Sequence, residues 1–395
     1  MEFTEMTASA STLLLDTRNA VQQPNWENDV HLERVRSELS ELPALIGADE
    51  IRTLRTLLST VAQARATIIQ AGDCAEDPQE STDVHVARKV ALLNVLAGTM
   101  RMKTHRPVLR VGRIGGQYAK PRSKPTEMVD GVELPSFRGH LVNGPQPHPV
   151  HRRANPDRML AGYWAANRVM GHLGWRVPSS LSVIEPPVWT SHEALLLDYE
   201  VPQLRRDGEG RMVLTSTHWP WIGDRTRQLD GPHVDLFSRI ANPVACKVGP
   251  SMTSDELLAL CDKLDPEHES GRLTLIARQG ASKVRSALPE LVAAVRDSGH
   301  PVIWLCDPLH ANTVSTDSGY KTRHVQTAID EVRGFREVLA EAGVHAGGLH
   351  LETTPDDVTE CVFDDSLNHE VGQRYSTLCD PRLNTEQAAE VVSAW

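Results

Sequence analysis

The sequence contains no run of about 18 apolar residues, so none of its helices is expected to span a membrane. Basic residues are in deficit. Lys and Arg number 41 against 52 Asp and Glu, a formal net charge of −11. That balance excludes a broad nucleic-acid or polyanion surface, and any basic cluster must act locally on a small anion. The six cysteines form no paired framework, which points to reduced thiols and a cytoplasmic chain. The opening MEFTEMTASASTLLLDTR carries Glu2 and Glu5 and no basic stretch before its short apolar run, so it does not read as a secretory signal.

What is present suffices for a large core. A chain of 395 residues with 40% hydrophobic content can fill one barrel-sized domain or two ordinary ones. Eight short β-rich runs recur, over 66–73, 107–113, 188–195, 214–223, 244–250, 273–280, 302–308 and 346–352. Between most of them, apolar residues return at three- and four-residue steps, as over 86–102, 254–264, 288–299 and 327–343, which marks amphipathic helices. Strands alternating with helices imply a parallel sheet, and eight such units imply an α/β fold of the (β/α)8 TIM-barrel class.

Residues 114–187 are rich in Pro and Gly and begin with little periodicity. They read as an elaborated loop after strand two, followed by a helix. The expected organisation is an N-terminal helical extension over 1–65 and a barrel over 66–395. The extension contains an amphipathic helix at 49–65 that packs on the barrel or on another subunit.

A barrel presents its chemistry at the C-terminal ends of its strands. Two groups of residues fall there. Arg113, Arg225, Lys247 and Arg278 follow strands two, four, five and six. Arginine forks and a lysine point charge suit a multiply charged anion. The alternative is four unrelated surface salt bridges, each worth ~0–1 kcal/mol.

Cys74, His310 and Glu352 follow strands one, seven and eight, and Asp380 lies in the last loop. One thiol, one imidazole and two carboxylates suit a divalent transition metal better than Mg or Ca. Spacing alone leaves a buried thiol and a satisfied core histidine equally open. A third feature is the segment GRIGGQYAKPRSKP (112–125), in which Arg113, Lys120, Arg122 and Lys124 stand without a carboxylate, just after Arg110.

The blocks QAGDCAED, RVGRIGGQYAKPRSKP, WTSHEALLLDYE, THWPWIGDRTRQLDGPH, NPVACKVGP, GRLTLIARQG, VIWLCDPLHANT, GLHLETTPDDVTEC and CDPRLNT occur in order from about residue 20 to the end. Together they resemble the type II (plant-like) 3-deoxy-D-arabino-heptulosonate 7-phosphate (DAHP) synthases, and among these the short bacterial members found with phenazine biosynthesis. The resemblance implies a metal-dependent transferase that condenses phosphoenolpyruvate with D-erythrose 4-phosphate to DAHP and phosphate. The metal would be Mn2+ or Co2+, with Zn2+ and Fe2+ as further options.

It implies metal ligands at Cys74, His310, Glu352 and Asp380. It places phosphoenolpyruvate on Arg113, Arg225, Lys247 and Arg278, and erythrose 4-phosphate on Lys120, Pro121, Arg122 and Ser123. Lys120 would protonate the former aldehyde oxygen, and Asp224 would orient the water. Partners would be these two substrates and further copies of the chain, with no nucleic acid and no membrane. Three departures from the family pattern stand out. WIGER reads WIGDR, with Asp224. DPMHGNT reads DPLHANT, with Leu309 and Ala311. RIAGQ reads RIGGQ, with Gly115.

The chain is also shorter than the members that bind aromatic amino acids, which implies weak feedback inhibition and a role in secondary metabolism. An amino-DAHP synthase and a non-catalytic regulatory paralogue are the alternatives.

Overall fold

The computed structural model describes residues 7–8, 15–129, 131–176 and 185–395. The chain divides into two compact units. The first comprises Met1–Arg52, Ala75–Val86 and Ile114–Asn242; the second comprises Thr53–Cys74, Ala87–Arg113 and Pro243–Trp395.

The strands at the expected runs are β1 (Thr67–Gly72), β2 (Val108–Arg113), β3 (Trp189–Thr190), β4 (Trp221–Ile222), β5 (Val244–Val248), β6 (Leu273–Ala277), β7 (Ile303–Cys306) and β8 (Ala346–Glu352), with β3 and β4 in the first unit and the other six in the second. Each falls inside its expected run, and helices alternate with them, as the (β/α)8 barrel class requires.

Within the second unit six strands pair in parallel in the order β2, β1, β8, β7, β6, β5. Strands β5 to β7 are buried along their whole length, as expected of parallel strands covered on both faces. Register matters for the chemistry. Glu352 pairs with Gly72, and Gly72 with Arg113, so the last residue of β8 and the last of β2 share one row across β1. Gly72 has φ +148°, and a Cβ there would sit 2.6 Å from the Arg113 carbonyl oxygen. Only glycine admits so close an approach.

Helix α5 (Ser254–Leu264) starts on a capping box between Thr253 and Glu256. Helix α6 spans Val284–Ser298 and ends at Gly299, with φ +79°, as a left-handed C-cap does. Helix α7 is Val325–Glu341.

The first unit packs around Leu32, Val35, Leu39, Tyr118, Leu141, Met159 and Tyr163. Helices α1 (Asp29–Glu41) and α4 (Asp157–His172) contribute to this cluster, and the Tyr163 hydroxyl donates to the Pro43 carbonyl at 2.6 Å.

Two expectations change, and one open alternative is decided. The run 214–223 is not one strand. Met212–Leu214 pairs antiparallel with Leu204–Arg206, and a buried turn separates it from β4. Part of the long loop after β2 is a hairpin, Thr126–Val129 against Val132–Pro135, beside Gly131 at φ +78°. The helix expected at 49–65 is α2 (Ala48–Ala62), but its apolar face (Ile51, Leu54, Leu58 and Val61) is buried within this chain. That face is therefore not a contact for another subunit.

Candidate active site

In the second unit the strand ends gather charged side chains that are almost all out of contact with water. Glu352 is the hub. Its Oε1 accepts from Arg113 at 2.8 Å and lies 3.1 Å from His310 Nε2; its Oε2 accepts from Arg323 at 2.7 Å. Burying a carboxylate alone is expensive, so this one survives by holding two arginines and an imidazole.

Arg113 is fixed from three directions. Besides Glu352, it donates to the Asp73 carbonyl at 3.0 Å and to His350 Nε2 at 2.6 Å. Nε2 of His350 is therefore the acceptor, so its Nδ1–H donates to Gln70 Oε1 at 2.6 Å. Burial pushes the His350 imidazole well below its usual range, and the cations of Lys247 and Arg113 push it further. It is a neutral spacer that orients a cation.

Lys247 lies 2.5 Å from Asp307 Oδ2, which also lies 2.7 Å from His310 Nδ1. Burial lowers the Lys247 ammonium pKa to about 8, helped by Arg113 and Arg278 and opposed by Asp307. Burial would raise the Asp307 carboxyl, but His310 and Lys247 outweigh it and hold it well below the carboxylate range. Arg278 donates to the His310 carbonyl at 2.9 Å. The cations expected to be unpaired are therefore partly matched: Arg113 by Glu352 and Lys247 by Asp307.

Cys74 is buried, and its sulfur lies 3.8 Å from Asp380 Oδ2 and accepts the Asp380 amide N–H at 3.3 Å. One donor atom each from Cys74, Glu352 and Asp380 lies within 4.8 Å of the others, and His310 Nε2 joins through Glu352. This thiol, imidazole and carboxylate set fits a borderline divalent transition metal.

The sequence reading missed the groups that hold this set in place. Asp73 bridges Lys89 and Arg382, each at 2.7 Å, and Arg382 forks onto Glu360. The final loop is thereby tied to the residue before Cys74. Glu331, on α7, accepts the backbone N–H groups of Gln279 and Gly280 at 2.8 Å each, and the Asn312 amide at 2.6 Å. It thus clamps the loop after β6, which begins with Arg278, to the loop after β7, which carries His310. Burial raises the Glu331 carboxyl pKa to about 7. The only sequence signal for these residues is charge inside apolar helical or loop segments, since their partners lie far along the chain.

The remaining expected site residues belong to the first unit. Lys120 is buried, and its backbone N–H donates to the Arg138 carbonyl. Pro121 is half-buried. Arg122 pairs with Glu127. Ser123 is exposed and accepts from Arg225 at 2.9 Å, so Arg225 is tied to the loop rather than standing alone. Asp224 lies 3.0 Å from Arg227. The loop itself is pinned by Glu76, whose carboxylate accepts the N–H groups of Gly115, Gly116 and Gln117 at 2.8–2.9 Å.

Among the described residues no helix is long and apolar enough to cross a membrane. The model of the class II DAHP synthetase family matches residues 11–177 and 168–394. A Pseudomonas fluorescens protein named "Probable phospho-2-dehydro-3-deoxyheptonate aldolase" is 55% identical over 377 residues, covering 95% of this chain and 94% of its own. Phospho-2-dehydro-3-deoxyheptonate aldolases of Streptomyces coelicolor and Mycolicibacterium smegmatis are 39% and 38% identical, each across 94% of this chain and 93% and 91% of their own. On this evidence the chain belongs to the class II DAHP synthase family.

Proposed function

We propose that this enzyme condenses phosphoenolpyruvate with D-erythrose 4-phosphate, giving DAHP and inorganic phosphate. The observation that carries the reading is the row Glu352–Gly72–Arg113, which joins a thiol, imidazole and carboxylate donor set to a cluster of buried cations.

In this reading Arg113, Lys247 and Arg278, together with Arg225, take the carboxylate and phosphate of phosphoenolpyruvate. Fixing the enol in one pose removes much of the entropic cost of a two-substrate step. Arg113 suits the task because His350, Glu352 and the Asp73 carbonyl set its orientation beforehand.

Lys120, Pro121, Arg122 and Ser123 receive erythrose 4-phosphate. C3 of phosphoenolpyruvate bonds to the aldehyde carbon, and Lys120 gives a proton to the former aldehyde oxygen. A water oxygen adds at C2, with Asp224 as one orienting group, and the C2–O bond to phosphate then breaks.

Cys74, His310, Glu352 and Asp380 would hold a divalent cation such as Mn2+ or Co2+, which supplies Lewis acidity at the aldehyde. The fit rests on the donor chemistry and on the donor spacing within 4.8 Å. We further infer a cytoplasmic homo-oligomer, weak inhibition by aromatic amino acids and a product routed to secondary metabolism.

Phosphate release measured with both substrates, with each alone, and with chelator followed by Mn2+ tests the reading. Release that needs both substrates and returns with Mn2+ supports it. Full release in the presence of chelator removes the metal, and none under any condition removes the activity.

A further inference from the structure

We propose that Asp262, His268 and His300 form a second divalent-metal site, suited to zinc, at the ends of the strands away from the candidate active site. Asp262 lies in the last turn of α5; His268 lies in the turn that leads into β6; His300 lies just before β7. All three therefore sit where parallel strands begin, whereas Lys247, Arg278, His310 and Glu352 sit where strands end. The two clusters occupy opposite ends of the strands.

One donor atom from each of the three residues lies within 4.8 Å of the others. His300 Nε2 and Asp262 Oδ1 are 2.9 Å apart, a separation that two neighbouring ligands of one cation can share. The His268 ring stacks on the His300 ring, with centroids 3.8 Å apart and planes 10° from parallel. His268 Nδ1 lies 3.3 Å from the Gly299 carbonyl oxygen, so the proton is on Nδ1 and Nε2 carries a lone pair.

His300 is buried, and the atom it turns to Asp262 is Nε2, so a cation there would be held by a side chain that the fold already fixes. His268 also adopts φ +51°, a left-handed backbone that a non-glycine side chain rarely takes. Its amide N–H bonds to the Asp265 carbonyl at 3.2 Å, which holds the turn and keeps the ring over His300. Backbone strain of this kind is commonly kept where a side chain must be presented.

Binding needs one movement. The exposed His268 ring turns about its side-chain bonds, out of the stack, until its Nε2 faces the cation shared by His300 and Asp262. Asp262 is 72% exposed at its side chain, so solvent supplies the remaining ligand. Two imidazoles and one carboxylate favour Zn2+, Cu2+ or Ni2+ over Mn2+. The ion would staple the end of α5, the turn at 265–272 and the entry to β7.

The test is a count of metal. Full-length, tag-free protein is stripped with chelator, dialysed against micromolar Zn2+ and assayed by plasma mass spectrometry and thermal unfolding. The unmutated chain should hold one zinc more than His268→Ala or Asp262→Asn. Zinc should raise its Tm by several degrees more than it raises that of either variant. His172→Ala, at an exposed histidine elsewhere, should keep the extra zinc. Phosphate release by His268→Ala should match the parent. Equal zinc content in parent and both variants, or equal loss in His172→Ala, overturns the site.

Discussion

Arg113 and Lys247 of the second unit and Arg122 and Arg225 of the first are held by different rules. Arg113 and Lys247 are buried, and each meets a carboxylate inside the protein. Arg122 is half-buried and Arg225 exposed, and they rest on Glu127 and Ser123 in a loop. Strand register sets the first kind, so their positions are as rigid as the sheet. A carboxylate handhold on backbone N–H groups, that of Glu76, sets the second. Buried charge therefore takes part in the sheet as well as in the proposed ligand site, whereas loop charge is held by single local contacts.

The sharpest way to break this contrast is Glu352→Ala. It strands Arg113, Arg323 and His310 together. We expect turnover to fall by roughly a thousandfold or more, and urea unfolding to show a loss of about 3–5 kcal/mol, as when one partner of a buried ion pair is removed.

Next in size is Arg122→Ala. Here KM for erythrose 4-phosphate should rise by about tenfold, the cost of one charge-assisted contact, while stability stays within ~0.5 kcal/mol of the parent. A comparable loss of stability would erase the distinction.

The third test is pH. Lys247 loses its proton as pH climbs through about 8. KM for phosphoenolpyruvate should climb above that pH, and Lys247→Arg, which stays charged, should lose this limb.

The fourth uses Glu331, whose carboxyl pKa is raised from 4.5 to about 7. Between those values the folded state holds more protons than the unfolded one, so stability falls as pH rises. Glu331→Gln should flatten that segment of the stability profile. The smallest effect expected is that of Asp224→Glu, a change of about threefold or less in kcat, because Asp224 is half-exposed and spends its charge on Arg227.

Much of this architecture was legible in the sequence, for identifiable reasons. Strands β5 to β8 are mostly apolar runs with a charged residue in or just after each (Lys247, Arg278, Asp307 and Glu352), a local signal. The residues at those ends could be assigned to a site because strand polarity fixes where side chains emerge. The strand drawn over 214–223 failed because its middle is buried without being paired: Thr217, His218 and Trp219 are buried in a turn. The ties Asp73–Arg382 and Glu331–Gly280 were out of reach, since their members are 309 and 51 residues apart. No periodicity reports such a pair.

The link from Asp73 to Arg382 has a consequence for how the molecule is made. Its two ends are synthesised 309 residues apart, and Asp380 follows the same order as Arg382. A nascent chain therefore carries Asp73 and Cys74 for some time without Arg382 and Asp380. This cluster can form only once Arg382 has been made, and a ribosome-stalled fragment ending before Arg382 should be open to protease at β1.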